Sequence, residues 1–194
     1  MKIFKMLTVV AAVSSLWTSA SAGEAPIHLF LNEDSAETKI DGMNVRLRAE
    51  LSDKDRKERD FARTPRVWIT CFDNGRQIMS IDTADDLDPW PSVTDGQDVR
   101  ASAVLKSQTG SFKDLTTQVN ASRVNDLLQI NVDITGRAED VARSWLQGFP
   151  IKLTASPDGG ELEALELVIF PESRSSVFRT EASALVRVCE VLGG

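Results

Sequence analysis

Two cysteines, Cys71 and Cys189, constrain the fold of this chain more than any other feature of its sequence. Cys71 lies three residues before Asn74-Gly75, a dipeptide preferred in two-residue type I′ hairpin turns because both positions need a positive φ. Such a turn places Cys71 opposite Ile78. Apolar residues then occupy both faces of the hairpin, and we expect this hairpin to lie in the middle of the structure, covered on both sides.

The second cysteine belongs to a predicted C-terminal helix, from about Ser176 to Leu192. Its apolar residues recur at steps of three and four, which places them on one stripe: Phe178, Ala182, Leu185, Cys189 and Leu192. Both cysteines therefore face a buried layer. In an oxidising compartment, a Cys71–Cys189 disulfide would hold the helix against the hairpin. Two buried free thiols, or one reactive thiol, are the alternatives.

The first 22 residues have the pattern of a secretory signal peptide. Lys2 and Lys5 precede an apolar run from Met6 to Trp17, and Ala20-Ser21-Ala22 is the small-residue pattern of a cleavage site. The apolar run is too short to span a bilayer. We therefore expect a periplasmic or secreted protein that does not insert into a membrane after cleavage.

The rest of the chain predicts an α+β fold, an antiparallel β-sheet or sandwich with one short helix and the C-terminal helix packed on it. Residues 23–63 are interpreted as N-terminal strands followed by a charged linker, since mixed charges fill Asp53 to Asp60. Residues 64–194 are interpreted as the α+β domain. Its short helix is expected where Ala138, Val141, Ala142 and Trp145 recur at helical spacing.

Motifs for known chemistries are missing from the sequence. His28 is the only histidine, neither cysteine has a neighbour at zinc-ligand spacing, and no nucleophile motif or glycine-rich phosphate loop occurs. We predict no enzymatic activity, no metal and no cofactor. Paired carboxylates would still suffice for a glycoside hydrolase, and the aspartates between Asp82 and Asp98 offer oxygen ligands suited to calcium.

Trp90 is the candidate contact residue. It stands between Pro89 and Pro91 in a polar loop, and a ring held in this way loses little conformational entropy on binding. With the neighbouring acids Asp86 and Asp88, it forms a predicted partner contact. Packing of the same ring in the core is the alternative interpretation.

The order of these features resembles small exported bacterial proteins associated with type VI secretion, the VasI or TagO-like group. In that group a strand with a cysteine opens a hairpin, a β-rich middle follows, and a terminal helix carries the second cysteine. The matching segments here are Val67–Ile81 and Phe170–Leu192, and Arg100 is similar to a strand arginine of the group. The resemblance covers about residues 65–194 and does not account for residues 23–63.

Export, the missing catalytic motifs and this resemblance together predict a non-catalytic envelope protein that binds an envelope or secreted protein. An association with a secretion system is what the resemblance implies. The net charge of −7 opposes binding to nucleic acid. The alternatives are an exported hydrolase that uses paired carboxylates, and a periplasmic domain that binds a small molecule or calcium.

Overall fold

A computed structural model describes residues 26–41, 44–52, 65–83, 88–107, 112–124, 126–171 and 176–192. The predicted signal peptide and the charged run Asp53–Asp60 lie outside these residues. Among the described residues, no helix has the length and apolar character needed to cross a membrane.

The described residues form nine strands and two helices. In chain order these are β1 (Ile27–Asp41), β2 (Asn44–Ser52), β3 (Arg66–Cys71), β4 (Gln77–Asp82), β5 (Asp98–Ser107), β6 (Leu115–Val124), β7 (Leu127–Asp133), α1 (Ala138–Leu146), β8 (Ile151–Pro157), β9 (Leu165–Pro171) and α2 (Ser176–Leu192). Both predicted helices are present, and strands make up most of the fold.

The strands form a closed barrel in the order β1-β2-β3-β4-β7-β6-β5-β8-β9. Eight neighbouring pairs are antiparallel, and the parallel pairing of Ile27–Leu31 with Leu167–Pro171 joins β1 to β9. The prediction of an antiparallel sheet or sandwich is therefore corrected to a closed barrel. Closure depends on a pairing between strands far apart in the chain, for which the local sequence pattern carries no signal.

The N-terminal strands are part of this barrel. β2 pairs with β3 across the boundary that we predicted between residues 63 and 64, with Leu47 opposite Ile69 and Val45 opposite Cys71. The two strands that precede and follow the charged run in the sequence are thus paired with each other.

The inward side chains of the strands and one side of each helix form a single apolar core. β5 and β7 alternate between buried and more exposed residues along their length, so each presents one face to the interior. Trp145 of α1 and Phe178 of α2 lie beside the inward residues Leu31, Leu47 and Ile69. The helices therefore complete the core that the strands enclose.

The β3–β4 hairpin differs from the predicted type I′ turn by one residue of register. Cys71 pairs with Gln77, not with Ile78. The Gly75 N–H donates to the Phe72 carbonyl over 3.0 Å, and the Phe72 N–H donates to the Arg76 carbonyl over 2.9 Å. This is a three-residue loop with a glycine bulge, which needs a positive φ only at Gly75 (+79°).

The register decides which side chains reach the core. A shift of one residue transfers a whole strand face to the other side of the sheet. In the observed register, Met79 and Ile81 join Val67, Ile69 and Cys71 on the buried face, and each of these five side chains is at most 2% exposed. The two-residue loop would have placed Met79 and Ile81 on the opposite face.

The predicted disulfide is confirmed. Cys71 and Cys189 are bonded, their Cα atoms lie 5.6 Å apart, and both residues are buried. The bond joins β3 to the buried stripe of α2, which includes Phe178, Ala182 and Leu185 as predicted.

Replacing both cysteines, Cys71→Ala with Cys189→Ala, should lower the free energy of unfolding by about 2–4 kcal/mol. The bond closes a loop across 118 residues, and the unfolded chain regains the entropy of that loop when the bond is absent. Urea denaturation at neutral pH measures the loss. The wild-type protein with a reductant should match the double variant, and equal midpoints for all three samples would contradict the expectation.

Two substitutions test the observed hairpin loop, and the second of them distinguishes it from a type I′ turn. Gly75→Ala should destabilise the fold by about 1–2 kcal/mol, because the new Cβ is strained at positive φ. Asn74→Gly would be tolerated in a type I′ turn. Here it should also destabilise the fold, because Asn74 Oδ1 accepts a hydrogen bond from the Arg76 N–H over 3.0 Å. Thermal denaturation of both variants provides the measurement, and a stabilised Asn74→Gly protein would contradict the observed loop.

Candidate binding surfaces

Trp90 lies in the core, with 1% of its surface exposed. Its ring N–H donates a hydrogen bond to the Glu163 carbonyl over 2.9 Å, and its backbone N–H donates to Asp88 Oδ1 over 3.0 Å. A buried and hydrogen-bonded ring has no surface left for a partner. The core-packing alternative therefore describes Trp90, and the predicted contact at this ring is corrected.

Asp88 is held inside the same loop by Arg123. The Arg123 guanidinium forms an ion pair with the Asp88 carboxylate and donates to the carbonyls of Trp90 and Val93. Both side chains of the ion pair are about one-tenth exposed. Arg123, which the sequence did not single out, thus fastens the loop that carries Trp90. Asp86 lies outside the described residues.

The aspartates considered as calcium ligands are not clustered in the part of the chain that the structure describes. Asp88 faces Arg123, and Asp82 accepts a hydrogen bond from Gln129. Within the described ranges, no three His, Cys, Asp or Glu side chains are close enough together to hold a metal ion.

The β1–β2 hairpin contains a bulge that separates its two halves. Asn32 pairs with Glu50 and Glu37 pairs with Arg48, so residues 33–36 stand opposite a single residue of β2. Ser35 bridges the interruption, because its hydroxyl donates to the Asn32 carbonyl over 2.6 Å and accepts from the Glu50 N–H over 2.8 Å. The first half of β1 closes the barrel, and the second half is free to meet α2.

Beyond the bulge, Thr38 is fastened to α2 by two hydrogen bonds. The Thr38 N–H donates to Glu181 Oε2 over 2.8 Å, and the Thr38 hydroxyl donates to the Glu181 carbonyl over 2.9 Å. The Thr38 N–H therefore points away from β2, towards the helix. The Glu181 side chain covers the edge of β1 at this point, and the end of the hairpin has a defined position.

A groove of about 550 Å³ lies beside this end of the hairpin, and we call it the hairpin groove. It is lined by Thr38, Lys39, Ile40, Asp41, Asn44, Arg46, Thr70 and Phe72. Ile40 is 71% exposed. Arg46 donates from Nε to the Thr70 hydroxyl over 3.2 Å, and its guanidinium carbon lies 5.8 Å from the centre of the Trp68 ring. The hairpin groove thus combines exposed apolar surface with an oriented cation.

A second groove, of about 660 Å³, lies on the outer face of β4, β7, β6 and β5, and we call it the polar groove. Its polar lining consists of Arg76, Asp98, Arg100, Gln118, Asn120, Asn131 and Asp133. Ile78 and Val119 are its apolar residues. Of this set, the sequence singled out Arg100 and, among the possible calcium ligands, Asp98. The other side chains stand at ordinary positions on or beside separate strands, where no local pattern marks them.

Hydrogen bonds connect outward side chains of β4 and β7. The Ser80 hydroxyl donates to Asn131 Oδ1 over 2.6 Å, Asn131 Nδ2 donates to Gln129 Oε1 over 3.3 Å, and Gln129 Nε2 donates to Asp82 Oδ1 over 3.1 Å. Burial raises the pKa of Asp82, and the smaller effects of the Gln129 hydrogen bond and of the nearby arginines oppose that rise.

Asp82→Asn should change how stability depends on pH. Because the pKa of Asp82 is higher in the folded than in the unfolded chain, its contribution to stability is greatest below the unfolded pKa and falls as pH rises through the folded pKa. The asparagine keeps an acceptor for Gln129 but does not ionise. As the pH rises from about 4 to about 7, the stability of the variant should therefore increase relative to that of the wild type.

Urea denaturation at both pH values tests this expectation. Asp158→Asn, at an exposed carboxyl, is the matched control and should show a smaller change. If the free energies of unfolding of Asp82→Asn and wild type differ by the same amount at about pH 4 and at about pH 7, the expectation is wrong.

Comparison with known proteins adds no assignment to these surfaces. No protein-family model, no curated protein and no solved structure matches the chain. The resemblance to the type VI secretion-associated group therefore stays a prediction.

Proposed function

We propose that this chain is a non-catalytic protein, exported to the bacterial envelope, that binds another protein through the hairpin groove. The observation that carries the proposal is Ile40, which is 71% exposed on a hairpin fastened to α2 and lies beside Phe72 and Arg46. An association with a secretion system is part of the proposal and is motivated only by the resemblance.

The composition of the hairpin groove suits a protein partner. Aromatic residues and arginine are enriched at the energetic centres of protein interfaces. Here Arg46 is oriented by Thr70 and lies over the Trp68 ring, so little side-chain entropy is left to lose on binding. The partner that fits has an apolar side chain to cover Ile40 and a carboxylate to reach Arg46.

Ile40 differs from other exposed apolar residues in its surroundings. Val124 and Val191 are 55% and 80% exposed, but neither lines the hairpin groove or the polar groove. Single exposed apolar residues are normal on protein surfaces. An exposed apolar residue at the rim of a groove, beside a positioned arginine, is the arrangement that favours binding.

The disulfide supports the export part of the proposal. Disulfides form and persist mainly in oxidising compartments, such as the periplasm and the extracellular space. The Cys71–Cys189 bond is buried and joins a core strand to a core helix, which is the arrangement of a structural disulfide.

Site-specific photo-cross-linking in the native envelope tests the proposal. A photoreactive phenylalanine analogue replaces Ile40 in one protein and Val124 in the matched control. We expect at least one protein to be enriched at position 40 and not at position 124. Introducing Arg46→Glu into the position-40 protein should reduce its cross-linking yield by reversing the charge that the partner meets.

The thermal stability of each variant is measured alongside, so that loss of cross-linking is not confused with unfolding. The proposal is wrong if position 40 yields no enriched protein, or if both positions yield the same set. If Arg46→Glu leaves the cross-linking yield of a captured partner unchanged, that partner does not contact Arg46, and the interface lies elsewhere on the surface.

A further inference from the structure

The polar groove shares no lining residue with the hairpin groove and takes no part in the function proposed above. Its floor is the outer face of four neighbouring barrel strands. Strand pairing sets Arg100 opposite Asn120, Asn120 opposite Asn131, and Asn131 opposite Ser80. These side chains therefore form a row across the sheet, with steps of about 4.8 Å between strands.

Hydrogen bonds orient two side chains of the polar groove and leave part of each available. Asn131 accepts from Ser80 and donates one N–H to Gln129, so its second N–H remains for a ligand. Asp133 Oδ1 accepts from the Thr135 N–H over 3.0 Å and from the Thr135 hydroxyl over 2.7 Å. Asp133 Oδ2 is not used by these contacts.

Other side chains of the polar groove have no hydrogen-bonding partner within the described part of the chain. Within the part of the chain that the structure describes, the side chains of Asp98, Gln118 and Asn120 make no hydrogen bond and no ion pair. The Arg100 side chain likewise forms no hydrogen bond and no ion pair with another described residue. The groove thus presents donors and acceptors that the fold itself does not use.

The charges and hydrogen-bonding groups of the polar groove define its ligand. Two arginines and two aspartates line it, so the groove is close to neutral in a chain of net charge −7. Guanidinium groups only donate, carboxylates only accept, and amides do both. A hydroxyl also donates and accepts at one atom. We propose that the polar groove binds a neutral, hydroxyl-rich ligand, namely a saccharide chain.

Other ligand classes fit the polar groove less well. A nucleic acid or another polyanion would meet Asp98 and Asp133 as well as the negative net charge. A lipid or an apolar peptide segment would find only Ile78 and Val119 as apolar lining. The volume of about 660 Å³ lies within the range of small-molecule sites and holds a few sugar units.

Nuclear magnetic resonance titration of the intact protein tests this proposal. The probes are three neutral tetrasaccharides (maltotetraose, cellotetraose and chitotetraose), with tetragalacturonic acid and tetraglycine as comparators. We expect at least one neutral probe, at up to about 20 mM, to shift the side-chain amide signals of Gln118, Asn120 and Asn131. Asn120→Ala and Arg100→Ala should each weaken that binding by about fivefold or more.

Arg46→Ala, in the hairpin groove, is the matched control and should leave sugar binding unchanged. The proposal is overturned if none of the three neutral probes shifts a groove amide, or if a comparator binds more tightly than every neutral probe. Shortening of a bound tetrasaccharide during the titration would support the site and contradict the non-catalytic part of the proposed function. Because cross-linking at Ile40 reports on the other groove, the two proposals fail separately.

Discussion

Five residues of β1 pair in parallel with β9, and this pairing joins the first and last described strands into a closed barrel. An open sheet of the same strands would leave two rows of unpaired backbone groups and an apolar face for another layer to cover. Closure instead directs the buried residues of every strand towards one interior. The helices then need to cover only what the strands leave open, which is where Trp145 and Phe178 lie.

The disulfide and the Thr38–Glu181 hydrogen bonds attach α2 to the barrel at two places. Cys189 bonds to β3, and Glu181 holds the outer half of β1. The helix therefore fixes the β1–β2 hairpin relative to β3, and these are the elements that line the hairpin groove. A surface held in this way is already ordered before a partner arrives, which lowers the entropic cost of binding.

The local sequence predicted correctly those features that depend on the spacing of residues within one element. It predicted less well whether a residue is buried when that burial involves segments distant in the chain. The Cys71–Cys189 bond was predicted and confirmed, and so was the buried helix stripe from Phe178 to Cys189, whereas its last predicted member, Leu192, is half-buried. Trp90 is a contrasting case, because the loop that carries this buried ring is held by Arg123, 33 residues further along the chain. Neither groove was predicted, since each collects outward side chains from strands whose neighbours the sequence does not identify.

By itself, the sequence determined that most of this chain forms β-strands, in which apolar and polar side chains alternate. It also determined that the last segment is an amphipathic helix and that both cysteines are buried. These properties depend on the period of side chains along one element, which is local. The tertiary structure decided the register of the β3–β4 hairpin, the order of the strands and the closure of the barrel. Those features depend on pairing and packing between segments far apart in the chain, where a slip of one residue exchanges the buried and exposed faces of a strand.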